Sequence, residues 1–141
     1  MIILSVDYGD ARTGLAACDK FEMLASPVGV IISSDMTDVI EKTVETARQK
    51  NAGLIVVGYP KNMDATIGER AEKCAEFAKL LEERSGIKTV LWDERLTTVS
   101  AHGVLNETNV RGKKRKAVID SVAAVMILQS YMDYRRNTDA K

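Results

Sequence analysis

The order in which strand-like and helical patterns follow one another is the feature of this sequence that most constrains its fold. Three runs rich in β-branched or small apolar side chains come first, over residues 2–7, 15–19 and 21–32. Short turns that contain glycine or aspartate separate them, and Pro27 favours an edge position or a strand start in the third run. Consecutive strands with such short connections predict an antiparallel meander.

After the meander, helical patterns alternate with further strand-like runs. A helix is predicted over 35–50, capped by Ser34 or Asp35, and a strand follows over 54–58. The next helix begins with a capping box at Thr66 and Glu69 and ends at Gly86, and a strand over 87–94 follows it. A short helix capped by Thr97 or Thr98 and a long final helix from about Val118 complete the chain order. Helices between successive strands imply parallel additions to the sheet. The sequence therefore predicts an α/β fold with a mixed five-stranded sheet in the order 3-2-1-4-5 and helices on both faces, unlike a wholly parallel doubly wound sheet.

Length and composition bound the class of protein. The 141 residues suffice for a single domain over 1–141 with a core that needs no disulfides. The formal net charge is zero, which argues against a wholly basic nucleic-acid coat protein. No apolar run approaches the ~20 residues that a membrane span needs, and the N-terminus lacks a basic region followed by a cleavable apolar stretch. We therefore expect a soluble cytoplasmic protein.

The cysteines and the single histidine do not form a metal-binding pattern. Cys18 and Cys74 are widely separated and have no zinc-type spacing, so we expect reduced, structural thiols. Cys74 also falls on the apolar stripe of a predicted helix, which predicts a core position. His102 has no second histidine with which to bind zinc, and we expect it on the surface of a helix.

Three acidic residues stand where apolar elements begin or end: Asp7, Glu94 and Asp120. A carboxylate beside a buried strand is costly unless a cation, a cluster of hydrogen-bond donors or a metal ion compensates its desolvation. Two strand-end carboxylates and one helix carboxylate are what a divalent-metal site for phosphodiester chemistry would require.

Each acid also has an ordinary structural interpretation that stays open. Asp7 could make a turn hydrogen bond, and Asp120 could be a carboxylate that the dipole at a helix N-terminus favours. Asp93 and Glu94 could pair with Arg95 or cap the helix that is predicted to follow. Side chains alternate along a strand, so Trp92 and Glu94 share one face while Asp93 lies on the other. The residues alone do not decide whether Asp93 or Glu94 would be a metal ligand.

A dense group of cations precedes Asp120, because five of the six residues from 111 to 116 are basic. Charge runs are usually solvated surface. Because it lies close to Asp120 in the sequence, this run also suits a loop that binds phosphates and releases their counterions. The predicted phosphate contacts are Arg111, Lys113, Lys114, Arg115 and Lys116.

Four segments together resemble a known family: VDYGDARTGLA, GYPKNMDATIGERA, VLWDERLTT and KKRKAVIDSVAAVMILQSY. They are similar, in this order and over nearly the whole chain, to the signature segments of the YqgF family, whose members are described as Holliday junction resolvases and as nucleases that process pre-16S ribosomal RNA. Two positions depart from the family pattern. Ala65 stands where a glycine usually follows the aspartate, and Tyr59 replaces a smaller aliphatic residue.

The resemblance implies an RNase H-like fold and a metal-dependent endonuclease acting on structured nucleic acid. It implies that Asp7, Glu94 and Asp120 bind Mg²⁺ or Mn²⁺, the ions that hard oxygen ligands select. Two such ions about 3.5–4 Å apart could activate water for in-line attack on phosphorus, and the product would carry a 5′-phosphate. Gly9 and Arg12 would shape the first loop, and Arg12 would also neutralise phosphates. The implied partners are a ribosomal RNA precursor or branched DNA.

Two alternatives remain at this point. The same fold could serve as a nucleic-acid-binding module without catalysis, although retention of all three acids argues against it. The DxG pattern at Asp7 also resembles the phosphate loop of actin-like phosphotransferases, but those enzymes enclose a nucleotide between two such domains and this chain has room for one. A homodimer would suit a four-way junction, because resolution of a junction needs two symmetric cuts.

Overall fold

A computed structural model describes residues 1–59, 68–93 and 112–139, with side chains described except at 112–121 and 137–139. The strands are β1 (Ile3–Asp7), β2 (Arg12–Cys18), β3 (Ala25–Ile32), β4 (Leu54–Tyr59) and β5 (Thr89–Asp93), and the helices in these ranges are α1 (Met36–Gln49), α2 (Glu69–Ser85) and α3 (Gly112–Asp139). None of these helices is long and apolar enough to cross a membrane.

The five strands form one mixed sheet in the order β3-β2-β1-β4-β5. β2 pairs antiparallel with both β1 and β3, whereas β1, β4 and β5 run parallel. The predicted strand order and the predicted meander are therefore confirmed. β3, which contains Pro27, is an edge strand, as the sequence predicts.

Two apolar cores lie on the two faces of the sheet. Leu4 and Val6 of β1 contribute to the core that α1 and α2 cover. Ile3 belongs to the core on the other face, where α3 supplies Ile127 and Leu128. A central strand buried on both sides must be apolar at nearly every position, which explains the continuous run at residues 2–7.

The helix ends follow local chemistry in part. Asp35 caps α1, because its Oδ1 accepts a hydrogen bond of 3.3 Å from the backbone N–H of Thr37. Gly86 ends α2 in the left-handed conformation with φ of 72°. The predicted capping box is wrong: the N-cap of α2 is Gly68, which makes no side-chain cap bond, and Thr66 lies outside the described residues.

Tertiary pairing changes the predicted bounds of two strands. β2 begins at Arg12 and not at residue 15, because Gly14, predicted to be a turn residue, pairs with Asp7 in the sheet. β3 begins at Ala25 and not at residue 21, since Glu22 adopts a positive φ of 56° that interrupts the extended chain.

The final helix is also longer than predicted. α3 begins at Gly112, so Lys113, Lys114, Arg115 and Lys116 belong to the helix, and the prediction of a basic loop at these four residues is wrong. Lysine and arginine are good helix formers, and no proline interrupts the chain between Gly112 and the apolar stripe. Arg111, the predicted short helix at Thr97 or Thr98, and His102 lie outside the described residues.

Both cysteines are buried thiols, as predicted. Cys74 contributes to the core under α2. Burial raises the pKa of the Cys18 thiol above its ordinary value, so this group stays protonated and unreactive near neutral pH.

Candidate active site at the carboxyl edge of the sheet

The carboxyl ends of the three parallel strands meet at one edge of the sheet. Asp7 ends β1, Tyr59 ends β4 and Asp93 ends β5, and Tyr59 pairs directly with Asp93. All three residues are half-buried. Because adjacent strands lie about 4.8 Å apart, β1 and β5 are separated by roughly 10 Å. This spacing would let side chains from the ends of both strands contact one ligand.

Asp7 lies on the face of the sheet that α3 covers. Side chains alternate along β1, and Ile3 and Ser5, which share the parity of Asp7, both contact α3. Ile3 packs in the core beneath the helix, and Ser5 Oγ donates a hydrogen bond of 2.7 Å to the carbonyl oxygen of Ala124. Asp7 is therefore two residues beyond a direct contact between β1 and α3.

The direction of α3 brings its N-terminal part toward Asp7. Near the other end of the helix, Arg135 Nε lies 3.1 Å from a carboxylate oxygen of Glu22. The same carboxylate lies 3.5 Å from the amino group of Met1, just before β1. α3 thus runs antiparallel to β1, so its residues before Ala124 extend toward the carboxyl edge. Asp120 belongs to the helix one turn before Ala124, although its side chain lies outside the described part.

β5 places Trp92 and Asp93, its last two residues, on opposite faces of the sheet. Trp92 packs edge-on against Tyr131 of α3 with ring centroids 5.4 Å apart, and its Nε1 donates to Ser130 Oγ over 3.2 Å. Trp92 therefore faces α3, and alternation places Asp93 on the face opposite to Asp7. Glu94 lies outside the described residues, so its predicted position on the Trp92 face stays a prediction.

The chain that follows Asp7 is held by α2. The ring of Tyr8 stacks on Phe77 with centroids 4.3 Å apart, and Arg70 Nη2 donates a hydrogen bond of 3.2 Å to the carbonyl oxygen of Tyr8. Burial, with the nearby Asp10 acting in the same direction, raises the pKa of Tyr8, so its phenol stays neutral. Gly9 approaches Arg12 so closely that a Cβ at residue 9 would collide with the Arg12 carbonyl oxygen.

No pattern in the sequence indicated the role of Arg70. It stands 62 residues from Tyr8 along the chain. Its helical spacing to Phe77, which is seven residues on, places both on one face of α2. That spacing could have indicated a shared contact, but no local pattern identified the loop that they hold.

Arg12 is the one predicted phosphate-binding residue whose side chain belongs to the described part of the chain, and it lies near Asp7 in the sheet. Asp7 pairs with Gly14, and Arg12 lies two residues nearer the edge on the same face of β2. Its side chain is half-buried. The basic residues at 113–116 occupy the N-terminal turns of α3, the end that points toward this same edge.

The donor chemistry suits a hard divalent cation. Within residues 1–59, 68–93 and 122–136, whose side chains are described, no three histidine, cysteine, aspartate or glutamate residues cluster as a metal site. Asp7 is the one predicted ligand in that part. All three predicted ligands are carboxylates, and such oxygen donors match Mg²⁺ or Mn²⁺ better than zinc. The half-buried Asp7 carboxylate at a strand end therefore fits such an ion.

The sequence matches a family over almost its full length. Residues 1–134 match the family model described as "RuvX: Holliday junction resolvase". A Lachnospira eligens protein named "Putative pre-16S rRNA nuclease" is 43% identical over 139 residues, which cover 96% of this chain and 99% of the relative. A Halothermothrix orenii protein of the same name is 44% identical over 135 residues, which cover 96% of each chain.

Solved structures share the fold at low sequence identity. Thermus thermophilus RuvC, solved in complex with a Holliday junction substrate, superimposes with a TM-score of 0.70 at 11% identity, covering 98% of this chain and 96% of that one. The fowlpox virus resolvase gives a TM-score of 0.61 at 14% identity, with 96% and 99% covered. The likeness confirms the predicted RNase H-like fold.

Proposed function

Because this chain belongs to the RuvX family of Holliday junction resolvases, also called YqgF, we propose that it is a metal-dependent endonuclease that hydrolyses phosphodiester bonds in structured nucleic acid. One observation on this chain supports the proposal most directly. Asp7 stands at the carboxyl end of the central strand, on the face where α3, the helix that contains Asp120, is hydrogen-bonded to β1.

We assign the metal-binding role to Asp7, Glu94 and Asp120. Glu94 is preferred to Asp93, because Trp92 faces α3 and alternation along the strand would carry residue 94 to the same face as Asp7. A divalent ion held by these carboxylates would activate water and stabilise the charge that develops on the phosphate. The acids would supply negative charge and hard oxygen donors, and the apolar core between the sheet and α3 would hold β1 and the helix in place.

Cations on two sides of Asp7 would hold the nucleic-acid backbone. Arg12 lies on the sheet near Asp7. The first turns of α3 contain Lys113, Lys114, Arg115 and Lys116, and Arg111 precedes the helix in the sequence. Contacts to phosphates give affinity without reading sequence. Such an arrangement suits a substrate recognised by shape, as a branched or folded nucleic acid is.

The substrate that we propose is the 5′ region of precursor 16S ribosomal RNA, a four-way DNA junction, or both, and the activity would be cytoplasmic. The curated relatives carry the ribosomal name, whereas the family model carries the junction name. A junction substrate would favour a twofold dimer that makes two cuts. Cleavage of both substrates, measured beside the molecular mass in solution, separates these options.

Asp7→Asn tests the proposed function. The substitution keeps the shape of the side chain and removes the charge that binds a divalent ion, so Mg²⁺- or Mn²⁺-dependent cleavage should fall by more than about 100-fold, beyond the loss typical of an outer-shell metal residue. The stabilisation of the wild type by Mn²⁺, measured as a thermal shift, should disappear. Without metal, the thermal stability should be equal or higher, because repulsion among the acids is relieved.

Asp10→Asn is the matched control. Asp10 lies three residues after Asp7, in the loop between β1 and β2, is exposed, and its Oδ1 lies 4.0 Å from Lys73 Nζ. This variant should cleave like the wild type. Full cleavage by Asp7→Asn would reject the metal-nuclease proposal, and binding of nucleic acid without cleavage by the wild type would support the non-catalytic binding module.

A further inference from the structure

Ser5 is a polar residue in the middle of the central strand, between the apolar Leu4 and Val6. Its side chain is 0% exposed. Its Oγ lies 2.7 Å from the carbonyl oxygen of Ala124, to which it donates, and 3.5 Å from the carbonyl oxygen of Ala16. A buried hydroxyl in an apolar core is tolerated when it is hydrogen-bonded, and here the bond joins two elements that are 119 residues apart in the chain.

This hydrogen bond fixes the position of α3 along β1, which the surrounding apolar contacts cannot do. Ile127 and Leu128 fasten α3 to the sheet by burial, and the hydrophobic effect has no preferred direction. Apolar contacts alone therefore leave the helix some freedom to slide or rotate. A hydrogen bond has a narrow range of length and angle, so the bond from Ser5 fixes one point of α3 along the axis of β1.

The position of that fixed point relates directly to two of the proposed metal ligands. From Ser5, Asp7 lies two residues on, about 6.6 Å along the strand. From Ala124, residue 120 lies four residues back, about 6 Å along the helix. Because α3 runs antiparallel to β1, both steps go toward the carboxyl edge. The two steps are nearly equal in length, so the Ser5–Ala124 bond sets how residues 7 and 120 are aligned along the two elements.

We propose that Ser5 is a positioning residue: its hydrogen bond to Ala124 sets the register of α3 on β1 and thereby the separation of Asp7 from Asp120. The inference rests on the proposed function, in which these two acids bind the metal ion. Ser5 itself would touch neither metal nor substrate. It would act on metal affinity through the backbone of α3.

Ser5→Ala, compared with Thr43→Val, tests this role. Thr43 is also 0% exposed and also donates over 2.7 Å to a helix carbonyl, that of Val39, but within α1 on the other face of the sheet. Each substitution removes one buried hydroxyl with little change of volume, so both variants should fold and lose similar thermal stability. Only Ser5→Ala should weaken Mn²⁺ binding, by about tenfold or more as for other residues that support metal ligands, measured by calorimetric titration without nucleic acid.

Amide hydrogen exchange separates failure of this inference from failure of the proposed function. Exchange over residues 122–128 should be faster in Ser5→Ala than in Thr43→Val, whether or not the protein cleaves anything. Equal Mn²⁺ affinity of the two variants, or equal exchange in this segment, would overturn the role of Ser5. A wild type that binds no Mn²⁺ and cleaves neither RNA nor junctions would instead overturn the proposed function. In that case the exchange result would still show whether Ser5 sets the register of α3 on β1.

Discussion

At the scale of the residue, Gly9 shows how little freedom the loop after Asp7 has. A side chain there would meet the carbonyl oxygen of Arg12, a main-chain atom at the start of β2. β2 is paired with strands on both sides, so Arg12 cannot withdraw without disturbing the sheet. The absence of a side chain at Gly9 is therefore required by close packing of the backbone.

Gly9→Ala should lower the free energy of unfolding by about 1–3 kcal/mol, the usual cost of forcing extra volume into a packed site. Gly53→Ala is the matched control. A Cβ at Gly53 would lie 2.8 Å from Met1 Sδ, and a flexible thioether can move aside, so its cost should stay below about 1 kcal/mol. Urea unfolding of both variants measures the difference. Equal losses would show that the loop can relax around an added methyl group.

At the scale of the element, α3 combines two roles in one helix. Its later part packs on the sheet through Ile127, Leu128 and Met132. Its first turns contain four consecutive basic residues at 113–116. Successive residues on a helix point about 100° apart, so four in a row cannot all face the same nucleic-acid strand. Lys113 and Lys116, three residues apart, share a face.

Replacing both Lys113 and Lys116 by glutamine should weaken nucleic-acid binding alike for different sequences. Two lost phosphate contacts should reduce the slope of log affinity against log salt by about 1.4–1.8, twice the value for one contact. Lys50→Gln with Lys88→Gln removes the same charge just after α1 and just before β5, at the opposite edge of the sheet, and should leave the slope unchanged. If both pairs had the same effect, the basic run would be ordinary solvated surface.

At the scale of the whole molecule, the two cores share one sheet. Adjacent residues of β1, such as Ile3 and Leu4, enter opposite cores. Both cores pack on the same five-stranded sheet, so unfolding of one core would remove the sheet surface on which the other packs. We therefore expect the described part of the chain to unfold as a single cooperative unit, and one domain over 1–141 stays a prediction.

Two spectroscopic probes should report the same unfolding transition. Trp92, the single tryptophan of the chain, packs against Tyr131 and Tyr134 of α3, so its fluorescence reports whether that helix is docked. Far-UV circular dichroism reports the helices on both faces. The midpoints in urea should coincide, as in a two-state transition. A fluorescence change at lower urea would mean that α3 detaches as a separate unit.

The sequence by itself determined the features that depend on neighbours along the chain. The apolar run before Asp7 predicted a buried strand, Ser34 or Asp35 and then Gly86 predicted helix ends, and the order of patterns predicted the sheet order that the structure has. The motifs also identified the family. The assignment of Glu94 and Asp120 as metal ligands remains a prediction from those motifs.

Only the tertiary structure decided the register of one element on another. That Gly14 belongs to a strand, that Arg70 holds the carbonyl of Tyr8, and that Ser5 bonds to Ala124 depend on residues 7, 62 and 119 positions apart. Local propensity and periodicity describe which face of an element is apolar, but apolar faces fit together in many relative positions. Directional hydrogen bonds between distant backbones select one of them.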